Sequence, residues 1–206
     1  PIRKVDQKPD DGKLAVQEIF YTIQGEGPFT GCPAVFIRLA GCHLACTFCD
    51  TEFETGINNR MSVQDIIEAA VIVTHHGLYG PGAHLGQILV VLTGGEPLRQ
   101  TCGPLVRALN DVGFRHTQIE TAGNLWDPSI EGYLVDGTCS LVCSPKTSHV
   151  HPRIQSQCWH WKYVVRAGGV NSSGLPNEAT QANGGGAPAD VAEYGSTVWI
   201  SPMDEH

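Results

Sequence analysis

Apolar residues in this chain come in short runs, too brief for long helical stripes. Residues 14–23 (LAVQEIFYTI) and 34–40 (AVFIRLA) alternate or run apolar and are rich in β-branched and aromatic side chains, which predicts strands. Residues 87–93 (QILVVLT) are apolar almost throughout, as suits a parallel strand covered on both faces. Shorter runs at 117–120, 140–143, 162–166 and 197–200 repeat the strand signal. Helical spacing appears between them. Ser62-Val-Gln-Asp65 resembles a capping box with Asp in the usual Glu/Gln place, and Ile66, Ile67, Ala70, Val71 and Val73 give an apolar face that Gly77 stops. A second helix is predicted over 104–112, with Leu105, Leu109 and Val112 on one face and Gly113 as its stop. Asp127-Pro128 has the form of an N-cap and first helical position.

Strands alternating with helices imply βα units, a parallel sheet with helices outside, and right-handed crossovers that bring every strand's C-terminal end to one side. There are too few βα units for a closed eight-fold barrel, so the predicted class is α/β with a partial barrel. The residues with chemical character fall at those strand ends: the cysteines after residue 40, Gly94-Gly95-Glu96-Pro97 after Thr93, Glu120-Thr121, and Ser144-Pro145-Lys146 after Cys143. Residues 167–189 (AGGVNSSGLPNEATQANGGGAPA) depart from this pattern and are expected to form a surface insertion or loop.

Composition then narrows the function classes. A chain of 206 residues with 41% hydrophobic content supports one core, so residues 1–206 are taken as a single domain. The formal net charge of -8 and the absence of a Lys/Arg-rich run argue against a broad grip on nucleic acid or anionic membrane, and favour a small-molecule partner. No apolar run nears the roughly 20 residues that cross a bilayer, and no basic-then-apolar leader opens the chain, so a cytoplasmic location is expected. Eight cysteines then fit metal or redox chemistry better than a disulfide framework.

Three of those cysteines, Cys42, Cys46 and Cys49, lie together in GCHLACTFCDTEF with the spacing C-x3-C-x2-C. Loop-borne thiols this close can turn toward a common centre. An electron-carrying 4Fe-4S centre usually takes four Cys and a structural zinc site four N/S ligands, so three leave one coordination position for chemistry. His43 completing a zinc site is the alternative, made awkward by its adjacency to Cys42. Cys32, Cys102, Cys139, Cys143 and Cys158 are expected to be core or isolated thiols, and a second cluster from Cys139, Cys143 and Cys158 is disfavoured.

The spacing, with Phe48 before Cys49, resembles the hallmark of the radical S-adenosylmethionine (SAM) enzymes. That resemblance implies three thiolates on a 4Fe-4S cluster whose fourth iron is chelated by SAM, and an adenosyl radical that abstracts a substrate hydrogen. It further implies that Phe48, Cys49, Asp50, Gly94, Gly95, Glu96, Glu120, Ser144, Pro145, Lys146, Ser201, Pro202, Met203 and Asp204 line the SAM site, with Glu96 receiving the amino group. By themselves, Glu120 and Lys146 would more often form an ordinary surface pair.

EIFYTIQGEGPFTGCPAVFIRLAGC, residues 18–42, followed by Asp50-Thr51, resembles the 7-carboxy-7-deazaguanine synthases of 7-deazapurine (queuosine) biosynthesis. The resemblance implies conversion of 6-carboxy-5,6,7,8-tetrahydropterin to 7-carboxy-7-deazaguanine, through hydrogen abstraction at C6, ring contraction and loss of ammonia. Ile23, Gln24, Gly25, Glu26, Arg38 and Thr93 would bind the pterin, and Thr51, supported by Asp50, would ligate Mg2+. Glu and Gln suit an aminopyrimidinone edge, and hard oxygen donors suit Mg2+. Without that context, Asp50-Thr51 reads equally as a helix N-cap. A reductant protein such as flavodoxin and a homodimer are also implied. Two departures stand out: Ser201 occupies a position where the family has Gln, and the chain stops at His206, so the family's C-terminal substrate-closing tail is expected to be missing. A glycyl-radical activating enzyme, which shares the cysteine spacing, and a non-catalytic metal or electron-transfer module are the competing readings.

Overall fold

The computed structural model describes residues 11–46, 49, 58–77, 84–147, 149–165, 167–172 and 197–202. One eight-stranded sheet organises them, in the order β3-β1-β2-β4-β5-β6-β7-β8. The strands are β1 (Lys13–Ile23), β2 (Pro33–Leu39), β3 (Arg60–Ser62), β4 (Leu89–Gly94), β5 (His116–Thr121), β6 (Cys139–Cys143), β7 (His160–Val165) and β8 (Thr197–Pro202). From β2 to β8 every neighbouring pair is parallel. The sheet has two edges, β3 and β8, and is therefore an open, partial barrel of the expected α/β class.

The expectation of a parallel sheet fails at the first strands, where β1 pairs antiparallel with both β2 and β3. Only residues 24–32, which include a short 3-10 turn (Gly27–Phe29), separate β1 from β2, whereas a parallel return needs a crossover of a dozen or more residues. β3 itself had no signal in the sequence, because three residues cannot show a period.

The described α-helices are α1 (Val63–His76), α2 (Gly103–Asp111), α3 (Glu131–Val135) and α4 (Pro152–Gln157). α1 begins where the capping box placed it: Ser62 Oγ accepts from Asp65 N at 3.1 Å, and Asp65 Oδ2 accepts from Ser62 N at 3.0 Å. Ile66, Ile67 and Ala70 of α1 and Leu105, Val106 and Leu109 of α2 are buried. Val112, assigned to the buried face of α2, is instead 42% exposed, because the helix ends before it at Asp111.

Strand parity divides the sheet into two faces. Ile37, Leu92, Ile119, Leu141, Trp161 and Tyr163 enter the main apolar cluster with α1 and α2. Each such fully buried large side chain contributes on the order of 1.5–3 kcal/mol. The other face carries Arg38, Thr93 and Glu120 toward the C-terminal ends of β2, β4 and β5, with Lys162 in the middle of β7, and there the site is built.

Candidate functional site

The sheet's parallel register sets the site. Arg38 lies beside Thr93 across the β2–β4 pair, and Thr93 Oγ1 donates to Glu120 Oε2 at 3.3 Å. Farther along, Lys162 on β7 lies beside Trp199 on β8. A row of polar and charged side chains therefore crosses the mouth of the open barrel.

The loop after β2 carries Cys42 and Cys46 and is stitched to the end of β4. Gly95 N donates to Leu39 O at 3.1 Å and Glu96 N to Gly41 O at 3.0 Å. The approach is so close that a Cβ at Gly95 would lie 2.3 Å from Gly41 O and 2.9 Å from Cys42 Cβ. Glycine is required here for contact, which gives Gly94-Gly95 a physical role independent of any ligand. Gln100 secures the same corner from beneath: buried, it accepts from Ala15 N at 2.8 Å and donates to Ala15 O and Ala40 O at 3.1 and 3.2 Å.

None of the three thiols is in a disulfide. Cys42 Sγ accepts from Leu44 N at 3.4 Å, and Cys49 N donates to Cys46 O at 3.4 Å. Burial, with the nearby charges of Glu96, Cys46 and Cys49, pushes the Cys42 thiol up to about 11. Lys146 lies within electrostatic reach of Cys46. Among the described residues, no three His, Cys, Asp or Glu side chains gather at metal-ligating distance. In ligand type and number the loop fits an iron–sulfur cluster: three thiols on one loop, none of them in a disulfide. His43 is buried, and burial followed by the Arg99 charge holds its imidazole below the ordinary histidine range.

Glu96 sits at the site but is built into its frame. Its carboxylate is wholly buried, with Oε1 accepting from Thr121 Oγ1 at 2.8 Å and Leu98 N at 3.1 Å, and Oε2 from Ala122 N at 2.8 Å. Burial nevertheless raises its pKa. It braces the ends of β4 and β5 against each other. The next strand end joins through Ser144 N, which donates to Thr121 O at 2.8 Å. Ser144 and Pro145 are buried, and Lys146, half-buried, donates to Ser144 Oγ. Burial, followed by the Lys162 charge, holds Lys146 below the ordinary lysine value.

The expected pterin-binding residues divide into two groups. Gln24 is buried, its Nε2 donating to Glu120 Oε1 at 3.2 Å and its Oε1 accepting from Glu26 N at 3.1 Å. Glu26 reaches Lys162 at 2.7 Å and the hydroxyl of Ser201. Gly25 and Ile23 are exposed beside them. Arg38 shares the layer with Thr93, but its guanidinium turns to Glu18, at 2.8 Å, and over the Phe20 ring. Ser201 is buried and Pro202 exposed. Phe48, Asp50, Thr51, Met203 and Asp204 lie outside the described residues, as do residues 173–196 of the Gly-rich region and its surroundings.

Sequence reasoning missed Lys162 and Gln100. Lys162 had a signal, a lone cation inside the strand run WKYVV, where a buried charge demands a partner. Cys139, Cys143 and Cys158 are buried; burial pushes Cys139 and Cys158 up to about 12 and 11 and Cys143 upward too, as befits protonated core thiols.

No family model matches the chain. Among curated proteins it is similar to the 7-carboxy-7-deazaguanine synthase of Rhodospirillum rubrum, at 42% identity over 205 residues, covering 96% of this chain and 79% of that protein. It is 36% identical over 202 residues to the synthase of the same name from Rickettsia prowazekii, covering 96% of this chain and 76% of that one. Among solved structures it resembles QueE from Escherichia coli with a TM-score of 0.57 and 29% identity, covering 74% of this chain and 72% of the other. A platform of strand ends bearing three thiols, in a chain similar over nearly its whole length to proteins of one name, leaves one assignment: the chain belongs to the 7-carboxy-7-deazaguanine synthase family.

Proposed function

We infer that this chain converts 6-carboxy-5,6,7,8-tetrahydropterin to 7-carboxy-7-deazaguanine with loss of ammonia, as a radical SAM carbon–nitrogen lyase of 7-deazapurine biosynthesis. The observation that carries this is the 42% identity over 96% of the chain to a named synthase. It favours this reading over a glycyl-radical activase or a non-catalytic metal module.

A bound 4Fe-4S cluster with SAM supplies one-electron, hydrogen-abstracting chemistry that no side chain can provide. Cys42, Cys46 and Cys49 are the proposed cluster ligands, and each must give up a proton to bind. Because Cys42 starts at about 11, loading is favoured as pH rises from neutrality. Gly94 and Gly95 offer backbone that side chains do not obstruct, and Ser144, Pro145 and Lys146 frame the opposite wall of the SAM site. Glu96 already has three donors, which supports a framing role beside its expected contact with the SAM amino group. Glu120, Ser201, Pro202, Met203 and Asp204 complete the SAM assignment, with Phe48 and Asp50 on the cysteine loop.

Gln24, Gly25, Glu26 and Thr93, with Ile23 and Arg38, bind the pterin. Arg38 meets the pterin's carboxylate or polar ring edge by leaving Glu18. Since Glu18 is half-exposed, that exchange costs little. Thr51, supported by Asp50, would hold Mg2+, which would supply positive charge to offset that of the substrate carboxylate. A reductant protein such as flavodoxin delivers the electron, the assembly is a homodimer, and the enzyme works in the cytoplasm.

A Mg2+ titration of turnover tests the residue-level assignment. Thr51→Ala should lose most of the Mg2+ stimulation while keeping wild-type iron content. Full Mg2+ stimulation in that variant would remove Thr51 from the ligand set.

A further inference from the structure

The site contains one sequestered cation that none of these roles uses. Lys162 Nζ is 2.7 Å from Glu26 Oε2 and 3.6 Å from Glu120 Oε2, and the lysine side chain is only 11% exposed. Both glutamates are tied to the same glutamine, one by its carboxylate and the other by its backbone: Glu120 Oε1 accepts from Gln24 Nε2 at 3.2 Å, and Gln24 Oε1 accepts from the backbone N–H of Glu26 at 3.1 Å. Lys162, Glu26, Gln24 and Glu120 therefore close a ring that joins β7, the loop after β1 and β5. Gln118 Nε2 and Thr93 Oγ1 donate to Glu120 at 3.0 and 3.3 Å and fix its far side.

Within that ring Glu26 is the member open to a ligand, with 44% of its side chain exposed against 17% for Glu120. The groups facing it are the Lys162 ammonium from β7, Lys146 from the loop after β6, and the Ser201 hydroxyl from β8, with Glu120 across the lysine. Burial alone would raise the Glu26 pKa, but the charge and hydrogen bond of Lys162 outweigh it and hold the carboxyl below its ordinary value. Burial would likewise lower Lys162, but Glu120 and Glu26 outweigh it and raise its pKa.

We propose that Lys162 is a positioning residue for pterin recognition: it holds the loop bearing Gln24 and Glu26 across the barrel mouth and keeps Glu26 a carboxylate, so that a donor-rich aminopyrimidinone edge meets a fixed anion. The proposal rests on the reading above that Glu26 meets the pterin. A carboxylate accepts two parallel hydrogen bonds from an amino group and a ring N–H, whereas a carboxylic acid presents a donor to one of them. Without Lys162, Glu26 and Glu120 lose the cation between them, and their repulsion is relieved either by moving the loop or by protonating Glu26. Both outcomes weaken the same recognition. The pair is fully charged above the ordinary Glu range and below the raised lysine pKa, so loss of Lys162 moves the acid side of a pH profile upward.

Lys162→Met, Lys162→Arg, Glu26→Gln and the double variant Lys162→Met/Glu26→Gln should be compared in reconstituted enzyme for kcat, KM and the pH dependence of kcat/KM. Iron content and far-UV CD monitor folding. Binding of fluorescent 6-carboxypterin to the cluster-free protein supplies a readout that needs no loaded site. Lys162→Met should raise both KM and the 6-carboxypterin Kd by about tenfold, a value discounted for the exposure of Glu26. It should also shift the acid limb of kcat/KM to higher pH, while Lys162→Arg restores most of the loss. In the Glu26→Gln background, Lys162→Met should cost little more.

Wild-type KM, Kd and acid limb in Lys162→Met would overturn the proposal, as would single effects that multiply in the double variant. A uniform loss of helicity or iron in Lys162→Met that Lys162→Arg does not rescue would also overturn it, by making the residue a framework element only. If the wild-type protein neither binds nor turns over the carboxypterin, the functional reading itself fails, an outcome distinct from all of these.

Discussion

Replacing Gly95 with alanine probes the feature on which the whole site depends, the contact between the β4 end and the cysteine loop. The added Cβ would stand 2.3 Å from Gly41 O and 2.9 Å from Cys42 Cβ. Ordinary C···O contacts lie near 3.3 Å or beyond, so the loop must retreat by about 1 Å. Its retreat strains two backbone hydrogen bonds, Gly95 N to Leu39 O at 3.1 Å and Glu96 N to Gly41 O at 3.0 Å. Overpacking of this kind costs about 1–3 kcal/mol and each of the two weakened bonds about 1 kcal/mol, so a total of roughly 3–5 kcal/mol follows. Against a typical stability of about 5–15 kcal/mol that is a large share. Anaerobic urea unfolding of the cluster-free protein should show the loss as a lower midpoint, and reconstituted Gly95→Ala should hold less iron per chain because Cys42 has moved. Gly132→Ala is the control: nothing lies within 4 Å of its Cβ, and the change should stay within about 1 kcal/mol of wild type. Wild-type stability and full iron loading in Gly95→Ala would refute the reasoning.

Other perturbations test neighbouring parts of the account. Gln100→Leu removes three buried hydrogen bonds to Ala15 and Ala40 and should cost about 3 kcal/mol in denaturant unfolding. Asp127→Ala strips acceptors from Cys102 N at 2.6 Å and Ser129 N at 3.0 Å, loosening the start of α2, and should cost about 2–4 kcal/mol by the same measurement. Cys46→Ala should abolish both the cluster's visible absorption and SAM cleavage; cleavage surviving in that variant would end the radical reading.

What could be read in the sequence was what local rules determine. The Ser62–Asp65 capping box is a four-residue interaction, and α1 begins there. The apolar run before Thr93 is a strand buried along nearly its full length because both its faces are covered. The C-x3-C-x2-C spacing and the strand-end glycines likewise carry their meaning in adjacent residues. The antiparallel pairing of β1 was not legible, since partner choice across a sheet is decided by tertiary packing. Helix α4 escaped because six residues beginning at Pro152 show less than two turns of periodicity. Lys162 escaped because its run reads as a buried strand; only the register shows that it shares a face with Glu120 while Trp161 and Tyr163 enter the core.

The central claim is the reaction itself. The protein should be reconstituted anaerobically with iron and sulfide and supplied with SAM, Mg2+, a reductant and 6-carboxy-5,6,7,8-tetrahydropterin, with products followed by mass spectrometry. Accumulation of 7-carboxy-7-deazaguanine without stoichiometric 5′-deoxyadenosine is the predicted result. Cleavage of SAM to 5′-deoxyadenosine with no deazapurine product would contradict the assignment.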